Sequence, residues 1–162
     1  MRNRYRVSTL GVIGGLIVLL LSGCGGGLSR DDGNNSRVQT RLIAVDVAPT
    51  ANLNHPIAMD LLVIYNRALF EDLLKISANE WFEKRAQYKL DYPSLLQSWE
   101  WELVPGQVVP FFKLPPGTRK AVGALIFANY VSPGNHRARI DPFQGVVVRL
   151  KENEFTVMPL VE

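Results

Sequence analysis

Apolar residues fall along this chain in short runs punctuated by proline, glycine and asparagine. In residues 38–47, Ile43, Val45 and Val47 alternate with Ala44 and Asp46, the period-two signature of a strand buried on one face. Residues 57–65 are apolar almost throughout, Asp60 being the exception, which predicts a central strand covered on both faces. Residues 98–104 alternate cleanly, with Trp99, Trp101 and Leu103 on one side and Glu100 and Glu102 on the other. Pro105-Gly106 suits the central positions of a type II turn, and Pro110 confines the next run, residues 107–114, to a sheet edge or a bulge. Pro115-Pro116-Gly117 makes another turn before residues 121–130, which carry apolar side chains on both faces and are the best candidate for a buried strand. Pro133-Gly134-Asn135 opens a loop. Residues 145–150 and 154–160 predict a C-terminal hairpin around Glu152-Asn153, since asparagine tolerates the left-handed conformation such turns need.

One stretch changes period. Leu69 and Leu73, and Phe70 and Leu74, are each four apart, the spacing of one helical face. Ser77 and Glu80 form an S-x-x-E capping box that starts a second helix through Trp81 and Phe82, ending before Pro93. The chain therefore reads as about seven strands with short connections, a mainly β fold of sandwich type. The helical insert after the second strand is expected on a sheet edge or end. Between the first two strands, the segment Pro49, Thr50, Ala51, Asn52, Leu53, Asn54, His55 and Pro56 reads as a proline-bracketed loop.

The N-terminus follows different rules. Arg2, Arg4 and Arg6 precede an apolar run over residues 10–21, then Ser22, Gly23 and Cys24, the single cysteine of the chain. That run is short of the roughly 20 residues a membrane-crossing helix needs. Leu21-Ser22-Gly23-Cys24 resembles a bacterial lipobox, which implies cleavage before Cys24 and its lipidation. A plain secretory signal, which needs no cysteine there, and an uncleaved anchor are the alternatives. Residues 24–36 then read as a flexible polar tether and residues 37–162 as the folded domain. Gly25, rather than Asp, directly after the cysteine resembles an outer-membrane sorting address.

This division alters the charge picture. The chain has 18 Lys+Arg against 15 Asp+Glu and a pI near 9.2. The three leader arginines account for the whole excess, so the mature part is formally neutral and carries no nucleic-acid signature. With Cys24 committed to lipid, no internal disulfide is available, and the core alone must hold the domain.

Candidate chemistry is sparse. His55 and His136 stand in loops without H-x-x-x-H or H-E-x-x-H spacing, which gives no metal site. No G-x-S-x-G elbow or phosphate loop appears, and Glu100 and Glu102 read as solvated strand-face carboxylates. No catalytic set and no cofactor is expected. His136-Arg137-Ala138-Arg139 reads as a solvated basic loop, Trp99 and Trp101 as core, and Trp81 and Phe82 as a cap on a sheet end.

The order of these features resembles the outer-membrane lipoproteins of type VI secretion systems, the SciN/VasD/TssJ family. The shared features are the lipobox, the Pro/Asn loop, a strand ending in Tyr65, the aromatic positions Phe70 and Trp81-Phe82, the Pro105-Gly106 turn and the AVGALIFANY strand. Where members usually continue into Arg-Asp, this chain has Val131-Ser132-Pro133. The resemblance implies a transthyretin-like β-sandwich of seven to eight strands with a helical addition, and a structural role without catalysis. It implies binding to the periplasmic C-terminal region of the inner-membrane IcmF-like protein, TssM, through residues 49–56, with Leu53 as apolar anchor and Asn52, Asn54 and His55 as hydrogen-bonding neighbours. A lipoprotein binding a small ligand or peptidoglycan near Trp81 and Phe82 is the alternative, and a lipoprotein hydrolase a third. Cys24→Ser is expected to give a folded protein that no longer fractionates with the outer membrane; membrane fractionation and a secretion assay check this, and an unchanged distribution removes the anchor.

Overall fold

A computed structural model describes residues 37–161. Cys24, the leader and the tether lie outside the described residues. The eight strands are β1 (Leu42–Val47), β2 (Ile57–Ile64), β3 (Leu96–Leu103), β4 (Phe112–Lys113), β5 (Gly123–Ala128), β6 (Arg137–Arg139), β7 (Gly145–Leu150) and β8 (Phe155–Pro159). They form two four-stranded sheets, ordered β4-β1-β7-β8 and β3-β2-β5-β6. All pairings are antiparallel except β1 with β7. This is the β-sandwich expected from the hydrophobic pattern, and the capping box, the Pro-Gly turn and the C-terminal hairpin stand where the sequence places them.

The uninterrupted apolar character of β2 and β5 has a direct cause. Met59, Leu61 and Val63 of β2, with Ala124 and Ile126 of β5, point into the sandwich and meet Ile43, Val146 and Val148 of the facing sheet. The alternate residues, Leu62, Ile64, Leu125 and Phe127, point the other way into a second core. That second core is closed by two helices, α1 (Arg67–Leu73) and α2 (Ala78–Asp91). Asn66 caps α1 by accepting from the Leu69 amide at 3.0 Å, and Ser77 with Glu80 makes the reciprocal capping box of α2. The helical insert thus covers the outer face of the β3-β2-β5-β6 sheet, not its edge or end. The reason is that β2 and β5 are apolar on both faces and need a cover.

Trp81 is accordingly fully buried on the sheet face, stacked on Phe127 at 5.5 Å, and does not cap a sheet end. Its indole Nε1 donates to Asp60 Oδ2 at 2.8 Å. Asp60, the one acid in the run of β2, also accepts from Arg85 Nη1, 3.2 Å from each of its oxygens. One turn further, Lys89 pairs with Glu100, which Arg85 also approaches at 3.7 Å. Trp81, Arg85 and Lys89 are spaced four apart, so they share one face of α2 and run along the register pair Asp60–Glu100. Glu100 is therefore a strut beneath the helix and not a free solvated carboxylate.

Two further expectations change. Residues 137–139 are not a loop: they form edge strand β6 against β5. Arg137 donates to the Ile76 carbonyl at 2.6 Å, and Arg139 pairs with buried Asp141 at 2.6 Å while lying over the Phe70 ring. Trp99 and Trp101 face the sandwich but are only half-buried, because β3 is an edge strand; both pack on Phe112, at 5.6 and 5.3 Å.

Burial pushes the Asp60 carboxyl above its ordinary value, opposed incompletely by the hydrogen bonds from Trp81 and Arg85. Lys89 holds Glu100 below its ordinary value. The two act in opposite senses. Asp60 contributes most below its unfolded value and loses that contribution as pH rises through its folded pKa. Glu100 contributes above its unfolded value and loses that as pH falls through its folded pKa. Asp60→Asn, which keeps an acceptor for Trp81, is expected to gain stability relative to wild type as pH rises from about 3 to about 7, whereas Asp60→Leu loses about 3 kcal/mol near neutrality; urea melts at both pH values check the crossover. At Gly123, a Cβ would stand 2.2 Å from the Phe70 ring. Gly123→Ala is expected to cost about 1–3 kcal/mol, with partial recovery on adding Phe70→Leu, as read by thermal melts of the single and double variants.

Candidate partner-binding end

Strands β1 and β2 lie in different sheets, so the connection between them must cross one end of the sandwich. Residues 51–54 make that crossing in a single tight turn of unusual hand. Asn52, Leu53 and Asn54 have φ of 51°, 53° and 64°, three consecutive non-glycine residues in the left-handed region. That conformation costs an L-residue roughly 1–2 kcal/mol. It is tolerable for asparagine and a genuine outlier for leucine.

The surroundings impose it. Asn52 is buried, and its amide side chain uses both ends: Nδ2 donates to the Pro56 carbonyl at 2.9 Å, and Oδ1 accepts from the Val131 amide at 2.7 Å. The backbone amides of Asn52 and Leu53 donate to the carbonyls of Lys151 and Glu152, each at 3.1 Å, in the β7–β8 turn. The His55 ring Nδ1 lies 2.9 Å from the Leu53 carbonyl and 3.2 Å from that of Asn52; both are acceptors, so this nitrogen carries the proton. Strain of this kind persists only where neighbouring structure over-determines it, and it concentrates at functional sites.

The same end collects other loops. The β3–β4 connection is tied to it by the Gly106 amide, which donates to the Ala48 carbonyl at 3.2 Å. Gly106 has φ +74°, the conformation that position of the turn requires. In the β5–β6 connection, Tyr130 Oη donates to the Glu154 carbonyl at 2.8 Å and Ser132 Oγ to the Asn153 carbonyl at 2.6 Å. His136 stacks on Tyr130 at 4.7 Å and bonds the Ser132 carbonyl through Nε2 at 2.8 Å. The loops are therefore cross-braced, and apolar side chains stand out from them: Leu53 at 45% exposure, Val104 at 52%, Val108 at 91% and Val131 at 62%. These are four of the seven exposed large apolar side chains among the described residues.

The residues expected to contact a partner divide. Pro49, Thr50, Leu53, Asn54, His55 and Pro56 are exposed, while Ala51 and Asn52 are buried. Asn52 is thus a brace and has no free hydrogen-bonding atom in its amide to offer. Val104, Val108 and Val131 escaped the sequence reading. Each is an apolar residue beside a turn, a visible but common signal, and only the fold brings them to the same end as Leu53.

Trp81 is buried and offers no ring to a ligand, while Phe82, with the Arg85 guanidinium 5.1 Å from its ring centre, lines a shallow depression of about 330 Å³ with Asn79, Glu83 and Asn129. No group of three or more His, Cys, Asp or Glu residues is placed to hold a metal among the described residues.

The sequence matches no protein-family profile and no curated protein. Solved structures do match. Serratia marcescens Lip, a membrane-bound component of the type VI secretion system, superposes with a TM-score of 0.52 at 14% identity, covering 74% of this chain and 96% of that one. The T6SS lipoprotein TssJ1 from Pseudomonas aeruginosa gives a TM-score of 0.55 at 13% identity, covering 75% and 95%. A chain of a type VI membrane complex gives 0.50 at 14%, covering 74% and 97%. At these identities the likeness is one of fold, and it spans nearly the whole of each relative: the chain has the fold of the type VI secretion lipoproteins.

Proposed function

We propose that this protein is a divergent member of the TssJ family, anchored by lipid on Cys24 to the periplasmic face of the outer membrane. In this reading it is a scaffold without catalytic activity. The braced end of its sandwich docks the periplasmic C-terminal region of the inner-membrane IcmF-like protein and so ties the type VI secretion complex across the envelope. The shared fold with lipoproteins of that system supports the assignment.

The observation that carries the docking surface is the left-handed turn at residues 52–54. It holds an exposed leucine in a conformation that a leucine resists, by hydrogen bonds with two neighbouring segments, at residue 131 and residues 151–152. Nothing in the packing of the domain requires Leu53 there, because its side chain stands outside both cores. A pre-braced loop loses little conformational entropy on docking, and a central apolar anchor is where binding energy concentrates. Val104, Val108 and Val131 extend the apolar surface around it.

Leu53→Asp is expected to weaken binding to the periplasmic domain of the partner at least ten-fold by calorimetry while leaving the melting temperature unchanged. Leu53→Gly separates strain from contact: it is expected to hold or raise the melting temperature, since glycine adopts this conformation freely, and yet to weaken binding. Wild-type affinity in both variants, with the partner folded, removes the turn from the interface.

A further inference from the structure

The opposite end of the sandwich carries a different surface. β1 is six residues long, about 20 Å, so its start is well separated from the loops that follow its end. Around that start lie two adjoining depressions. One, of about 280 Å³, is lined by Arg41, Lys113 and Arg119; the other, of about 270 Å³, by Arg37, Arg41 and Arg119. All four cations are exposed, and no carboxylate lines either depression. None of the four makes an ion pair among the described residues, whereas Arg85, Lys89, Arg139 and Arg149 all do. In a mature chain whose charges balance, four unpaired cations at one end make a polarised surface.

We propose that this basic end rests on the anionic phospholipid headgroups of the leaflet that holds the lipid anchor. The inference rests on the reading of Cys24 as lipidated and goes beyond it. Arg37 is both a wall of the second depression and the first described residue. Only residues 24–36 separate it from the anchor, a stretch that spans at most about 45 Å. The chain therefore enters the described domain at its basic end, which puts the patch beside the point where the tether attaches. Arginine forks match phosphate oxygens, and tethering raises the effective concentration enough for a few cations to suffice. The domain would then stand with its basic end on the leaflet and its apolar loops directed into the periplasm.

The test uses the chain from residue 24 with Cys24→Ser, which retains both sheets and both cores and has no lipid of its own. It is expected to cosediment with phosphatidylcholine vesicles containing about 30 mol% phosphatidylglycerol, not with phosphatidylcholine alone, and to be released as salt rises from about 0.1 M to about 0.5 M. Arg41→Glu with Arg119→Glu is expected to weaken vesicle binding at least ten-fold. Arg37→Gln with Lys113→Gln provides a milder second pair, and melting temperatures confirm that the variants fold. Leu53→Asp is expected to bind vesicles as the parent does. Equal binding to both kinds of vesicle, no binding to either, or binding that survives both pairs of substitutions overturns the proposal. A salt wash keeps the two readings apart: Cys24→Ser protein that stays with the outer membrane after a wash at about 0.5 M salt removes the lipidation reading, whatever the vesicles show.

Discussion

The structure depends on a sheet that must be dry on both faces. β2 and β5 run side by side with apolar residues pointing alternately into the sandwich and out of it, so the outer face needs a cover as much as the inner one does. The facing sheet closes one side and the pair α1 and α2 the other. The cost of this arrangement falls on Asp60, the one acid in β2, which burial leaves beneath α2. Trp81 and Arg85 meet it there, and Lys89 extends the same helical face to Glu100 on the neighbouring strand. The polar groups under the helix thus set its register on the sheet, while Phe70 against Gly123 and Trp81 against Phe127 supply the packing.

With both of its faces occupied, that sheet offers no face to a partner, and the two ends of the sandwich have opposite character. One is apolar and stiff, built from connections that brace each other through Asn52, Tyr130 and Ser132. The other is basic and lies where the segment leading to Cys24 joins the domain. This division suits the proposed scaffold, in which an anchor at one end leaves the other free to face a partner. Charge is thus presented through where the cations gather, not through their excess over the acids.

Much of the fold was legible in the sequence. Period two marked β1 and β3, continuous apolar character marked β2 and β5, and Ser77 with Glu80 marked the start of α2. Each of these signals is local, arising from residues within a turn or two of one another. β6 was not legible: His136-Arg137-Ala138-Arg139 has the composition of a solvated loop, and it becomes a strand only because β5 offers it an edge. Helical periodicity marks the cover as an insert but not its place on the sheet face, since it shows that a face is buried without showing what buries it. The loop at residues 49–56 is legible, yet its hand is not, because Asn52 takes its conformation from partners at Pro56, Val131 and Lys151, and Leu53 from Glu152.

The order and kind of the elements, and the basic then apolar run that ends at Cys24, are readable from the amino-acid sequence without a fold. Those follow from short-range periodicity and capping chemistry. The tertiary structure alone decided which side chains share a surface: Leu53 with Val104, Val108 and Val131 at one end, Arg37 with Arg41, Lys113 and Arg119 at the other. Strand ends far apart in the chain become neighbours only when the two sheets close on each other, and the free energy that closes them belongs to the buried core, not to the exposed residues it brings together.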